Sequence, residues 1–147
     1  MQRLQDMTFI SVTPPAAIVD NAAFTTATID TYGYDEMMIV AYFGAMDIAM
    51  AALKVQESDA SNMSGAADVS GADFSVSPAT LPSATADNTA FQVHVKCGGS
   101  RKRYLDLSAT GGDGTSGTFL CVFAFGAKAE VKPSSATLRG FNQALSV

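Results

Sequence analysis

Tryptophan is absent from this chain of 147 residues, histidine occurs once and cysteine twice. These gaps exclude several kinds of site. Cys97 and Cys121 have no CxxC spacing, and His94 is the only imidazole, so a zinc centre has too few natural ligands. Each cysteine lies inside an apolar run, where the residue packs as a small buried hydrophobe; a disulfide between neighbouring strands is the alternative. Charge is also scarce, at 16% of residues, with 9 Lys and Arg against 14 Asp and Glu. A net charge of −5 argues against a nucleic-acid partner, because phosphate binding needs a dense basic face. Nor does any apolar run approach the roughly 18 residues of a membrane span. The first six residues lack the apolar core of a signal peptide, so synthesis and use in the cytoplasm, or assembly there into a particle, is the expectation.

What the chain does have is short runs of strand-forming residues between turn signals. The length suits one domain with a real core, although alanine supplies much of the 48% apolar content. Residues 1–27 hold one apolar run, 7–12, stopped by Pro14-Pro15, and read as an N-terminal arm lying along something or as an edge strand of the same domain. A β core is expected over 28–130. Within it, 37–43 is continuously apolar and suits a strand buried on both faces. After a turn at 44–47, Ala49, Ala51, Leu53 and Val55 alternate as a strand, with a helix over 45–54 as the rival. Residues 58–88, rich in Ala, Ser, Gly and Asp, form a long loop with at most a short strand over 72–76. Phe91, Val93, Val95 and Cys97 line one face of the next strand, and Leu105 and Leu107 one face of the strand after it. Residues 118–127 are apolar on both sides, which marks a central strand. Residues 131–147 are a C-terminal arm, helix-capable at 137–145. This pattern predicts an all-β protein, an antiparallel β-sandwich or barrel of jelly-roll or Ig-like type, with extended terminal arms and a long loop.

No group of residues has the form of an active site, and no cofactor is expected. His94 alternates with Gln92 and Lys96 on a polar face, away from Cys97, which therefore has no base. The nucleophile elbow GxSxG does not occur. Asp30, Asp35, Glu36 and Asp47, with Asp59, Asp68, Asp73 and Asp87, lack the spacing of a calcium loop and read as turn closers and edge-solubilising charges. Gly111-Gly112-Asp113-Gly114 lacks the lysine and the following helix of a phosphate loop, and reads as a hairpin end.

The one basic cluster is Arg101-Lys102-Arg103, followed by Tyr104. With Tyr32 and Tyr34 it forms the candidate interface, since tyrosine and arginine bury large area while satisfying a polar tip. A partner is also implied by the low charge, because a free monomer normally carries more. In sequence order the chain presents Tyr32-Gly33-Tyr34-Asp35, an apolar strand, Lys54-Val55-Gln56-Glu57-Ser58-Asp59, a long loop, and Arg103-Tyr104-Leu105. Over roughly residues 30–110 this order resembles small structural proteins from the head-gene cluster of tailed bacteriophages. The resemblance implies a virion structural protein, a decoration (cement) protein whose partners are the major capsid protein and copies of itself. A head-completion or tail protein is one alternative. A carbohydrate-binding sandwich using Tyr32, Tyr34 and Tyr42 is another, and the absence of tryptophan counts against it.

Overall fold

Side chains that alternate with period two are sorted to opposite faces of a strand. The computed structural model of the protein describes residues 6–14 and 18–143, with backbone alone at 11 and 12. Its strands are β1 (Thr8–Thr13), β2 (Ala23–Thr25), β3 (Ile29–Asp30), β4 (Tyr34–Phe43), β5 (Ala52–Ser58), β6 (Ala67–Asp73), β7 (Ala90–Lys96), β8 (Tyr104–Thr110) and β9 (Leu120–Ala129). Sheet I has the order β1-β9-β4-β7. Sheet II has the order β2-β8-β5-β6, with β3 also on β8. Every pairing is antiparallel. The two open sheets pack together as the expected β-sandwich, not as a barrel.

The core is the layer between the sheets. Met37, Ile39, Ala41 and Phe43 of β4 are buried, and in register with them stand Leu120, Val122 and Ala124 of β9. Sheet II answers with Leu53 and Val55 of β5 and Leu105, Leu107 and Ala109 of β8. Each such large side chain contributes about 1.5–3 kcal/mol relative to exposure. β9 is central, as its two apolar sides predicted. β4 departs from the expectation of two buried faces: Met38 and Val40 are only half-buried and Tyr42 is exposed, because among the described residues the segment around Gly140 and Phe141 covers sheet I only near Phe9 at the β1 edge. The strand after the turn starts at Ala52, not at Ala49. Residues 44–51 cross the end of the sandwich without helix, held by buried Met46 and Met50.

The long loop expected over 58–88 is shorter than that. β6 lies within it and pairs with β5 through Lys54↔Asp73 and Gln56↔Asp68; it begins five residues before the short strand expected at 72–76 and overlaps it only at 72–73. The remaining connection is pinned by buried Pro82, whose carbonyl accepts from Met50 N–H (3.0 Å), and by Phe74, edge-on to Phe91 at 5.6 Å. The segment read as an N-terminal arm supplies β1 to sheet I and β2 to sheet II, the edge-strand alternative. At the other terminus, among the described residues, only Thr137–Arg139 is helical, as one 3-10 turn, and Phe141 stacks on Phe9 at 5.3 Å. Residues 1–5, 15–17 and 144–147, which belong to the expected arms, lie outside the described residues.

Candidate interaction site

Two turns meet at one end of the sandwich. Gly33, at φ +82°, carries the chain from β3 into β4; Gly98 and Gly99, at φ +81° and +66°, carry it from β7 towards β8. Glycine takes this left-handed region without the penalty a side chain brings. Together the turns set Tyr32, Tyr34, Arg101 and Arg103 around a cleft of about 330 Å³, which Asp35 and Cys97 also line.

Arg103 is the centre of the group. Its Nε and Nη2 donate to Asp30 Oδ1 and Oδ2 (2.8 and 2.7 Å), a bidentate fork. The rings of Tyr32 and Tyr104 flank the guanidinium at 4.7 and 5.1 Å from their centroids. These hydrogen bonds hold the Asp30 carboxyl below its usual range and push the guanidinium pKa further up. Arg103 and Asp30 are both about half exposed, so the pair adds little to stability. Its consequence is a cation fixed in one orientation, with Tyr32 72% exposed beside it.

Arg101 points the other way, donating from Nη1 to Glu57 Oε2 (3.0 Å), which also accepts from Lys102 N–H (3.2 Å). Arg101 Nε is buried and has no partner. The Lys102 ammonium lies 3.7 Å from Asp59. Tyr34 is half-buried, its ring against Gly126, where an added Cβ would stand 2.5 Å from it. The structure therefore gathers all six candidate interface residues at one end. Tyr42 sits at the far end of β4, about 26 Å along the strand from Tyr34. The three tyrosines do not form one platform for a sugar.

The polar residues of the 54–59 block have structural partners. Lys54 and Gln56 donate to Asp68 (both 2.8 Å), Glu57 takes Arg101, and Ser58 Oγ donates to the Ser64 carbonyl (2.7 Å) while accepting from Ala60 N–H (3.1 Å). In register, Glu57 faces Leu105 and Ser58 faces Tyr104, so this block and Arg103-Tyr104-Leu105 are neighbouring stretches of sheet II.

At the opposite end Asp47 closes a turn, as expected of it, although the sequence did not show which turn. Asp47 accepts from the backbone N–H groups of Thr115, Ser116 and Gly117 (2.6, 2.6 and 3.1 Å), and Asp20 accepts from Gly114 N–H (3.0 Å). Converging amides of this kind form an anion-binding nest, here filled by the chain's own carboxylate. Asp30, Asp73 and Asp87 likewise accept from the backbone at turns, as expected of them. His94 is exposed, 3.6 Å from Glu36. Cys97, just past the end of β7, and Cys121 on β9 are free thiols with β4 between the two strands, and burial raises both pKa values. No group of acids, histidines and cysteines among the described residues is placed to hold a metal ion. No protein-family model matches the chain, and no curated protein matches it at a significant level.

Proposed function

We propose that the chain is a virion structural protein, a decoration (cement) protein that seats on the head shell of a tailed bacteriophage, with the major capsid protein and copies of itself as partners. The observation that carries this reading is the outer face of sheet I. There Met38 and Val40 of β4 and Cys121, Phe123 and Phe125 of β9 are only half-buried, and Tyr42 is 42% exposed. A sandwich living alone places polar residues on such a face, and contiguous apolar patches of this kind mark interaction surfaces. The clamped Arg103 with Tyr32 and Tyr104 supports the same reading, being a rigid aromatic and cationic anchor of the type that dominates protein interfaces. In this mechanism the β core is a rigid plug whose burial against several capsid subunits stabilises the shell.

Sedimentation of purified protein with undecorated particles tests it. Saturable binding at hundreds of copies per particle is expected, with resistance of the shell to heat rising in step. Six or twelve copies would instead indicate a head-completion or tail ring. Absence of binding would sink the particle reading.

A further inference from the structure

We infer that β7 is a pairing edge and that a second copy of this chain adds its own β7 to it, antiparallel, about a two-fold axis at Val93. The inference rests on the self-association part of the proposed function and not on the particle.

An open sandwich leaves strand edges whose backbone groups lack partners, and proteins blunt such edges with short strands, bulges or covering segments. The other edges here are blunted. β1 breaks register against β9 between Phe9 and Ser11, and Gly140 and Phe141 lie on Phe9. β2 and β3 are three and two residues long. β6 has a register break opposite Lys54 and Gln56, with Gly71 at φ +80°. Only β7 has none of these devices among the described edges. Its seven residues pair with β4 in unbroken register, from Glu36↔Lys96 to Tyr42↔Ala90.

Hydrogen-bond parity shows which groups of β7 are unused. Phe43 N–H donates to the Thr89 carbonyl (2.9 Å) and Cys97 N–H to the Asp35 carbonyl (2.7 Å). Backbone groups of the odd-numbered residues between them thus face β4, and those of Ala90, Gln92, His94 and Lys96 point outward. No described residue bonds to them. On the core side, Val95 is 3% exposed, whereas Phe91 and Val93 stay half-buried, and Val93 lines a cleft of about 200 Å³ between β7 and β6.

A second β7 fits this edge over its whole length. Centred on Val93, the pairs Ala90↔Lys96 and Gln92↔His94 join outward-facing backbone to outward-facing backbone. Phe91↔Val95 and Val93↔Val93 bring apolar side chains together on the core face. Lys96 is the one full charge on the strand, and it lands opposite Ala90 with its symmetry mate about 20 Å away. No like charges oppose each other. Centring on His94 would set that residue against itself and leave Ala90 unpaired. The result is a sheet of eight strands running through both copies.

Sedimentation equilibrium of the purified chain is the test. A dimer is expected, and His94→Pro should weaken it at least tenfold with an unchanged circular dichroism spectrum, since that N–H serves no bond within the sandwich. Should the proline variant misfold, a cysteine variant decides. Val93→Cys, in a chain with Cys97 and Cys121 replaced by serine, should cross-link to itself under mild oxidation. A non-hydrogen-bonded antiparallel pair holds its Cα atoms about 4.5 Å apart, within disulfide range. Gln92→Cys should cross-link far less. A monomer at all concentrations would overturn the inference, even if an unrelated strand later proved to occupy the edge, and so would equal cross-linking at both positions. Particle binding is read in a separate experiment, so the two proposals fail independently.

Discussion

Asp47 and Asp106 show how the same side chain is handled in opposite ways. Asp47 is surrounded by donors, chiefly the N–H groups of Ser116 and Thr115, which lower its pKa below the usual 3.8. Its stabilising contribution is fully present above that usual value and is lost as the pH falls through the lower, folded-state value. Asp47→Asn should therefore lower the melting temperature at neutral pH and expose the amides of Thr115, Ser116 and Gly117 to hydrogen exchange. Unchanged protection of those amides would show that the turn holds itself. Asp106 is 5% exposed on the outer face of sheet II, and its Oδ1 has no partner because the amide nitrogen of Gln56, opposite it in register, is given to Asp68. Burial raises its pKa, so its charged form opposes folding at neutral pH and that cost fades as the pH falls through the raised value. Asp106→Asn should stabilise the protein by on the order of 1 kcal/mol at neutral pH and have little effect in acid. Thermal melts at the two pH values read this directly. In the sequence, Asp106 looked like any polar residue of an alternating strand, because the loss of its partner depends on β6, which was not recognised.

At the scale of elements, legibility followed apolar content. β4, β7, β8 and β9 alternate or run apolar strongly enough to be read directly, and their core faces matched for Val95, Leu105 and Leu107. β6 was lost because its buried hydrophobic residues are only Val69 and Ala72, diluted by Asp68, Ser70 and Gly71; its strand character comes from hydrogen bonding to β5. Tertiary pairing overrode weak local preference. The candidate interface was legible as residue types, yet the Asp30 fork was not, since Asp30 and Arg103 are brought together only by the pairing of β3 with β8. Two measurements follow at this scale. Leu107→Ala, at a fully packed site, should cost about 3 kcal/mol in chemical denaturation. Limited proteolysis with a protease of broad specificity should spare 67–73 in the folded protein and cut, if anywhere, within 74–89. Early cleavage inside β6 would show that its pairing with β5 does not persist in solution.

Over the whole molecule, the two ends of the sandwich have different characters. The end with Arg103 is polar and aromatic. The opposite end presents Ile18, Ile48 and Phe119 around the glycine-rich turn that Asp47 and Asp20 hold. The N-terminal segment is built into that second end. Val19 is buried and exchanges two backbone hydrogen bonds with Thr118 (2.7 and 3.1 Å), Asn21 N–H donates to Gly112, and Gly111 N–H donates to Ala22. An added Cβ at Gly111 or Gly117 would meet Val19 O at 2.9 and 2.7 Å, so the turn and the segment fit each other closely. Deleting residues 1–26 removes β1 from β9, uncovers the rings of Phe123 and Phe125 next to Phe9, takes β2 from β8 and leaves the turn without Asp20. Those losses act on a domain whose total stability is roughly 5–15 kcal/mol. The truncated chain should therefore lose its cooperative thermal transition and aggregate through the bared edge of β9. Circular dichroism and light scattering during a melt report both effects. A truncated chain that melts cooperatively as a soluble species would show that the sandwich closes without the segment, and that its place is on a neighbouring subunit.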